Sequence, residues 1–126
     1  MRRLFLPVLA LLAFWACQAE APQRSARWPA VRHAHLVKEP ACQWCRCTCK
    51  LHMQVHHIQE FSRHPELELV DANLITLCEC PAGCPQCKCI PPEHNCHLYR
   101  GHLGNFQNEN PTIREQCIRH QKEIVK

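Results

Sequence analysis

The chain is poor in the residues from which domains of its size usually build a core. Its 126 residues include only three glycines and eight aromatic side chains: three Trp, one Tyr and four Phe. After residue 19, no apolar run reaches the roughly 18 residues that a membrane helix needs, so we predict no membrane span there. The basic residues after residue 19 are scattered and form no run, which argues against nucleic-acid binding. The sequence also lacks a His-Glu-x-x-His motif and a glycine-rich phosphate loop, and we expect no enzymatic activity.

The amino terminus has the three-part pattern of a secretory signal. Two arginines follow the initiator methionine, an apolar run occupies 4–16, and small side chains precede a predicted cut after Ala19. This pattern predicts a signal peptide over 1–19 and a secreted protein. A bacterial lipoprotein acylated at Cys17 is the alternative, although the aromatic residues just before that cysteine argue against it.

The rest of the chain divides into two parts by composition. Residues 20–41 contain three prolines and show neither helical nor strand periodicity, which predicts a flexible arm. Residues 42–126 hold all the remaining cysteines and are long enough for one domain. We therefore predict a signal peptide, an arm and a single domain over 42–126.

Weak periodicities within 42–126 predict a small α+β fold. Apolar residues spaced by three or four positions indicate a short helix over 50–63. An alternating run over 66–70 and a β-rich run over 74–80 flank turn-forming residues, which predicts a β-hairpin. Residues 81–111 hold five prolines and all three glycines and are expected to form irregular loops.

A helix is predicted at the carboxyl terminus. Its start is marked either by Asn110 before a first-turn proline or by Thr112 with Glu115 in a capping box. Together these elements define a small disulfide-rich α+β fold with a short helix, a β-hairpin, irregular Cys-rich loops and a C-terminal helix.

Cysteine is the residue type in excess, with twelve in the chain and eleven after the predicted cut. Four lie in a first cysteine segment, residues 42–49, and five in a second cysteine segment, residues 78–89. In an oxidising compartment such a pattern predicts disulfides, and their connectivity is left open. Cysteines in Cys-x-Cys pairs cannot readily bond to each other, so we expect bonds between the two segments. The candidates are Cys42, Cys45, Cys47, Cys49, Cys78, Cys80, Cys84, Cys87, Cys89, Cys96 and Cys117.

An odd count leaves one thiol over. That thiol is unpaired, holds a partner or bridges two chains, which raises the hypothesis of a disulfide-linked homodimer. Cys96 and Cys117 lie apart from the two cysteine segments and are the candidates for the bridge.

Metal binding is the competing interpretation. The chain has ten histidines, and His52 and His56 would lie one turn apart on the predicted helix, a spacing at which two imidazoles share an ion. Further candidate ligands for zinc or copper are His57, His94 and His97. Oxidised sulfur cannot ligate as thiolate, so the predicted compartment favours disulfides and no required cofactor.

The pattern Cys-x-x-Cys-basic-Cys occurs at 42–47 and again at 84–89. Together with the run Gly83-Cys84-Pro85-Gln86-Cys87, it resembles the von Willebrand factor type C modules of growth-factor antagonists, although this chain lacks their adjacent cysteine pair. We therefore expect a secreted, non-catalytic binding or modulator protein, acting as an extracellular ligand, antagonist or matrix-associated factor with an extracellular protein partner. The alternative is an extracellular metal-binding protein that uses its His and Cys clusters.

Overall fold

The computed structural model describes residues 20–87 and 95–126, so the predicted signal peptide lies outside the described residues. Helix α1 spans Trp28–Lys38 and helix α2 spans Ile113–Ile124. Strands β1, Met53–His57, and β2, Leu74–Cys78, form a two-stranded antiparallel sheet. Neither α1 nor α2, among the described residues, is long and apolar enough to cross a membrane. The predicted α+β class, with a helix, an antiparallel strand pair and a C-terminal helix, is confirmed.

The two strands form the centre of the fold. Met53 pairs with Cys78 and His57 with Leu74, and every residue of β2 is buried. Two short 3₁₀ turns, Pro65–Leu67 and Asp71–Asn73, lie between the strands. A π-helical turn at His97–Gly101 packs against both strands. Isolated π turns are rare and are frequently found at functional sites.

Sulfur forms much of the core. Of thirteen buried hydrophobic residues that cluster together in the described part of the chain, eight are cysteines, one is Met53 and four are aliphatic. Helix α2 closes this core with Ile113 and Cys117, which are both buried. The same helix also contacts the first cysteine segment. The His120 ring stacks on the Trp44 ring, with 4.1 Å between centroids, and the Gln121 side chain donates a hydrogen bond to the Trp44 carbonyl.

Helix α1 is held by polar contacts. His35 is 3% exposed, and its two ring nitrogens contact Asp71 at 2.8 Å and Glu39 at 3.2 Å. Glu39 in turn accepts hydrogen bonds from the Thr76 backbone at 2.7 Å and from Arg114 at 3.1 Å. One carboxylate therefore joins α1, β2 and α2.

Three sequence-based assignments are corrected. The predicted flexible arm contains α1, which the apolar pattern could not indicate because its one buried residue is a histidine. The predicted helix over 50–63 is wrong, since this segment contains β1, and Leu51, counted on the apolar face, is 88% exposed. The predicted strand over 66–70 is also wrong: it begins in a 3₁₀ turn, and β2 pairs with 53–57 instead.

The helix at the carboxyl terminus is confirmed, but its predicted caps are not. Thr112 is the N-cap residue and makes no side-chain capping bond. Its hydroxyl donates to the Asn110 side chain and accepts from Gln116 instead. The helix is thus anchored by side-chain contacts beside its first turn.

Stability should depend on pH through His35. Burial lowers the pKa of His35, but the hydrogen bonds to Glu39 and Asp71 more than offset this and raise it above 6.5. The stabilisation is fully present below pH 6.5 and is lost as the pH rises through the higher folded value. We expect the urea-derived free energy of unfolding to fall over that window in the wild type and to lose this slope in His35→Gln.

His33→Gln, at an exposed position of the same helix, serves as the matched control and should keep the wild-type slope. Equal slopes in His35→Gln and the wild type would contradict the assignment.

Candidate metal centres

Four cysteines from three segments meet at one point. Cys42 and Cys45 come from the loop after α1, Cys78 ends β2, and Cys96 precedes the π turn. Their sulfur atoms all lie within 4.8 Å of one another. We call these residues the four-cysteine group.

The loop that carries Cys42 and Cys45 is shaped by its own backbone. The Cys42 amide donates to the Cys47 carbonyl, and the Arg46 amide donates to the Cys42 carbonyl, each at 2.9 Å. Closing this loop requires Arg46 in the left-handed region at φ 62°. The result presents both thiols towards the end of β2.

The sulfur separations are longer than those of disulfides. Cys45 Sγ lies 3.5 Å from Cys78 Sγ, and no two cysteines within 20–87 and 95–126 are joined by a disulfide. A disulfide holds its sulfurs at about 2.05 Å. Zinc binds thiolates at about 2.3 Å, so the edge of a tetrahedron of sulfurs around it is about 3.8 Å. The observed separation is close to that edge.

The electrostatics of the group favour negative sulfur. Hydrogen bonds from Cys42 and then from Cys45 hold the pKa of Cys78 well below its usual range. A hydrogen bond to Cys42 raises the pKa of Cys96, and that of Cys45 rises for the same reason. A hydrogen bond with Cys45 also lowers the pKa of Cys42. The close packing thus favours thiolate at Cys42 and Cys78, and a bound cation would deprotonate the other two.

Four more cysteines surround Cys80. One set joins it to Cys47 and Cys87 and another to Cys49 and Cys84, with ligand atoms in each set within 4.8 Å. The Cys47–Cys80 sulfur distance is 3.6 Å and the Cys49–Cys84 distance is 3.8 Å. We call these five residues the Cys80 group; a bridging thiolate at Cys80 would serve both sets.

The structure therefore brings the first and second cysteine segments together. Cys89 lies outside the described residues, so its partners stay a matter of prediction. Cys96 and Cys117, the candidates for an interchain bridge, are 0% and 3% exposed, which disfavours both as bridging residues in the folded chain. The homodimer itself stays a prediction. Burial also raises the pKa of Cys117 to about 12, which makes it an inert thiol.

A histidine triad forms the third cluster. His56 on β1, His97 at the start of the π turn and His102 just after it bring their rings together, with centroids 4.7 to 5.2 Å apart. Their ligand nitrogens lie within 4.8 Å of one another. Burial lowers the pKa of His56 to about 2 and also lowers that of His97, so both rings are neutral near pH 7.

Of the histidines predicted from sequence, the structure brings His56 and His97 together. The pairing of His52 with His56 is wrong, because both residues lie outside any α-helix and His52 belongs to none of the clusters found among the described residues. His57 bonds to the Glu68 carbonyl instead, and His94 lies outside the described residues. His102 was missed because its spacing of five from His97 matches neither α nor β periodicity, although it suits a π turn.

A cavity of about 450 Å³ opens beside the triad. The three histidines line it together with two arginines, Arg24 and Arg32, and the aromatic rings of Trp28, Phe61 and Phe106. This volume is within the range of small-ligand sites.

Comparisons with protein-family models, curated proteins and solved structures find no match for this chain. The resemblance to von Willebrand factor type C modules therefore rests on the cysteine motifs alone.

Gly101 allows the π turn to approach the sheet. A Cβ at this position would lie 3.0 Å from Leu77 Cδ1 and 3.1 Å from His56 Cε1. Because both neighbours are buried, we expect Gly101→Ala to lower the free energy of unfolding by about 1–3 kcal/mol.

A double-mutant cycle in chemical denaturation checks whether the contact with Leu77 causes this loss of stability. Leu77→Val removes the nearest atom, so the cost of Gly101→Ala should be smaller in that background. Additive costs, or no cost in the wild-type background, would show that the close approach is unimportant.

Proposed function

We propose that this chain is a metal-binding protein in which the four-cysteine group holds a zinc ion that stabilises the fold. The observation that carries the proposal is the convergence of four sulfurs from three segments within 4.8 Å of one another, with the Cys45–Cys78 pair at 3.5 Å, close to the edge of a zinc tetrathiolate. Cys42, Cys78 and Cys96 are 0% exposed and Cys45 is partly buried. A closed site with four sulfur ligands is typical of structural zinc.

The weak core supports the same conclusion. Buried thiols behave as small hydrophobic groups with weak donors, so eight cysteines in a core of thirteen residues give limited packing energy. Structural zinc supplies about 10–16 kcal/mol of apparent binding free energy, which becomes folding free energy when the site is absent from the unfolded chain. Zinc would thus supply what aliphatic burial does not.

The donor set fits zinc. Soft thiolates in a tetrahedral arrangement select zinc, copper(I) or iron–sulfur clusters. Four ligands in one closed group satisfy zinc with no further partner. The Cys80 group supplies additional thiolates for a second ion of the same kind.

A secreted, disulfide-stabilised binding protein with an extracellular partner is the second proposal. It is supported by the signal-like sequence over 1–19 and by the excess of cysteine. The two proposals compete for the same sulfur atoms, because an oxidised cysteine cannot bind zinc as thiolate. Zinc binding requires a reducing compartment or metal loading before oxidation.

Mass spectrometry of the intact chain separates the two proposals. We expect the native protein to carry zinc that chelator removes and the denatured protein to have the mass of a fully reduced chain. Circular dichroism should show loss of structure after zinc removal, because the metal supplies much of the folding free energy. A denatured mass lower by two hydrogens per cysteine pair, with no metal in the native protein, would favour the disulfide-stabilised binding protein instead.

Paired variants locate the ion. Cys78→Ser should lose one equivalent of zinc, because serine is a poor zinc ligand. Cys117→Ser should keep the wild-type content, since Cys117 is equally buried but belongs to none of the metal-ligating groups found among the described residues. Equal zinc content in the two variants would contradict the assignment of the four-cysteine group.

A further inference from the structure

We propose that His56, His97 and His102 form a second metal centre, of the open type, which binds one divalent transition-metal ion and presents it to an oxyanion ligand in the adjacent cavity. This site uses residues outside the four-cysteine group, so substitutions can test it separately, although its test rests on the zinc site proposed above. Three histidines are a ligand set that zinc uses where a fourth position is left for water or substrate.

The first argument is the orientation of the rings. His97 Nδ1 contacts a Glu79 carboxylate oxygen at 2.6 Å, and His102 Nδ1 contacts the Asn108 carbonyl at 2.8 Å. These oxygens can only accept, so each Nδ1 carries the proton and each Nε2 keeps its lone pair. Metal-bound histidines have this arrangement, in which an outer carboxylate or carbonyl fixes the tautomer.

The second argument is an unsatisfied atom at the centre of the cluster. His56 is 2% exposed, and its Nε2 has no hydrogen-bond partner in the part of the chain that the structure describes. Leaving such an atom buried costs about 1–3 kcal/mol, so it requires an explanation. A metal ion bound to this nitrogen and to the two Nε2 atoms supplies the missing partner.

The distances are compatible with a shared ion. The three ligand nitrogens lie within 4.8 Å of one another. Zinc–nitrogen bonds of about 2.1 Å place tetrahedral ligands about 3.4 Å apart, so binding draws the ligand nitrogens together by at most about 1.4 Å.

The third argument is the wall of the cavity, which identifies the ligand. Arg24 is fixed between Trp28 and Phe61, with its guanidinium 4.8 and 4.7 Å from the ring centroids, and also pairs with Glu68. Arg32 donates one hydrogen bond to the Met53 carbonyl. Each guanidinium has five donor hydrogens, so both retain donors for a ligand.

The cavity becomes positively charged when the triad holds a divalent ion, because Glu68 already pairs with Arg24. Besides the two arginines, one carboxylate lines the cavity: that of Glu60, whose Oε1 lies 3.3 Å from His102 Nδ1. A divalent ion on the triad adds two positive charges. Together these charges favour an anionic oxygen ligand, a phosphate or a carboxylate, which bridges the metal and the arginines.

Cobalt(II) spectroscopy tests the centre in the full chain. With zinc already bound to the cysteines, added Co²⁺ should bind as one further equivalent and give visible bands without sulfur-to-cobalt charge transfer. His56→Gln and His102→Gln should abolish these bands, and Glu79→Gln should weaken Co²⁺ binding about 10–100-fold. The His52→Gln control should bind Co²⁺ like the wild type, and the zinc retained on the cysteines shows that each variant is folded.

Inorganic phosphate and acetate test the ligand. Either anion should shift the cobalt bands, and the tighter of the two identifies the ligand class. Arg24→Gln and Arg32→Gln should each weaken the anion about tenfold while leaving Co²⁺ affinity unchanged, because they contact the anion and not the metal.

Each remaining outcome overturns part of the proposal. Co²⁺ bands that persist in His56→Gln, or that carry sulfur charge transfer, exclude the histidine centre. Bands that neither anion shifts exclude the open position, and unchanged anion affinity in both arginine variants excludes the oxyanion ligand. Loss of zinc from the cysteines in the wild-type chain would instead contradict the zinc site of the proposed function.

Discussion

The rest of the structure depends on the end of strand β2, where three consecutive residues contact three different clusters. Cys78 belongs to the four-cysteine group, Glu79 holds His97, and Cys80 is shared by the two sets of the Cys80 group. Backbone bonds fix this tripeptide, since the Glu79 amide donates to the His52 carbonyl at 2.8 Å and Glu79 pairs with Asn95 across an isolated bridge. A shift of β2 by one residue would therefore misplace all three clusters together.

Polar groups add to the apolar contacts that connect the outer elements to this centre. Glu39 joins α1 to β2 and α2, and Arg114 donates to the Leu74 carbonyl as well as to Glu39. Burial raises the pKa of Glu39, but hydrogen bonds from His35, the Thr76 backbone and Arg114 outweigh this and keep it low. A chain with few aliphatic side chains thus orients its helices with buried, fully paired charges, an arrangement that specifies geometry more than it adds stability.

Elements whose buried residues are mostly apolar were predicted correctly, and elements whose buried residues include histidines were not. Strand β2 was predictable because a continuous run of β-forming residues marks a strand that is buried throughout. Helix α2 was predictable because Ile113 and Cys117, one turn apart, mark its buried face. Helix α1 was not, because its buried face consists of His35. Strand β1 was misassigned because two of its buried residues are histidines, which no hydrophobic pattern counts. The meeting of the cysteine segments was predictable from their spacing, whereas the distances between the sulfurs needed the structure.

The two proposed metal centres are covalently adjacent, and this determines how they should interact. Cys96 belongs to the four-cysteine group and His97 to the histidine triad, so one peptide unit carries a ligand of each. Fixing Cys96 restricts the start of the π turn, which removes part of the conformational entropy that binding at the triad would otherwise cost. Such a coupling is positive and reciprocal, because an ion on the histidines equally restricts Cys96. Zinc on the cysteines is thus expected to preorganise the histidine centre, which makes the structural ion a condition for tight binding at the open one.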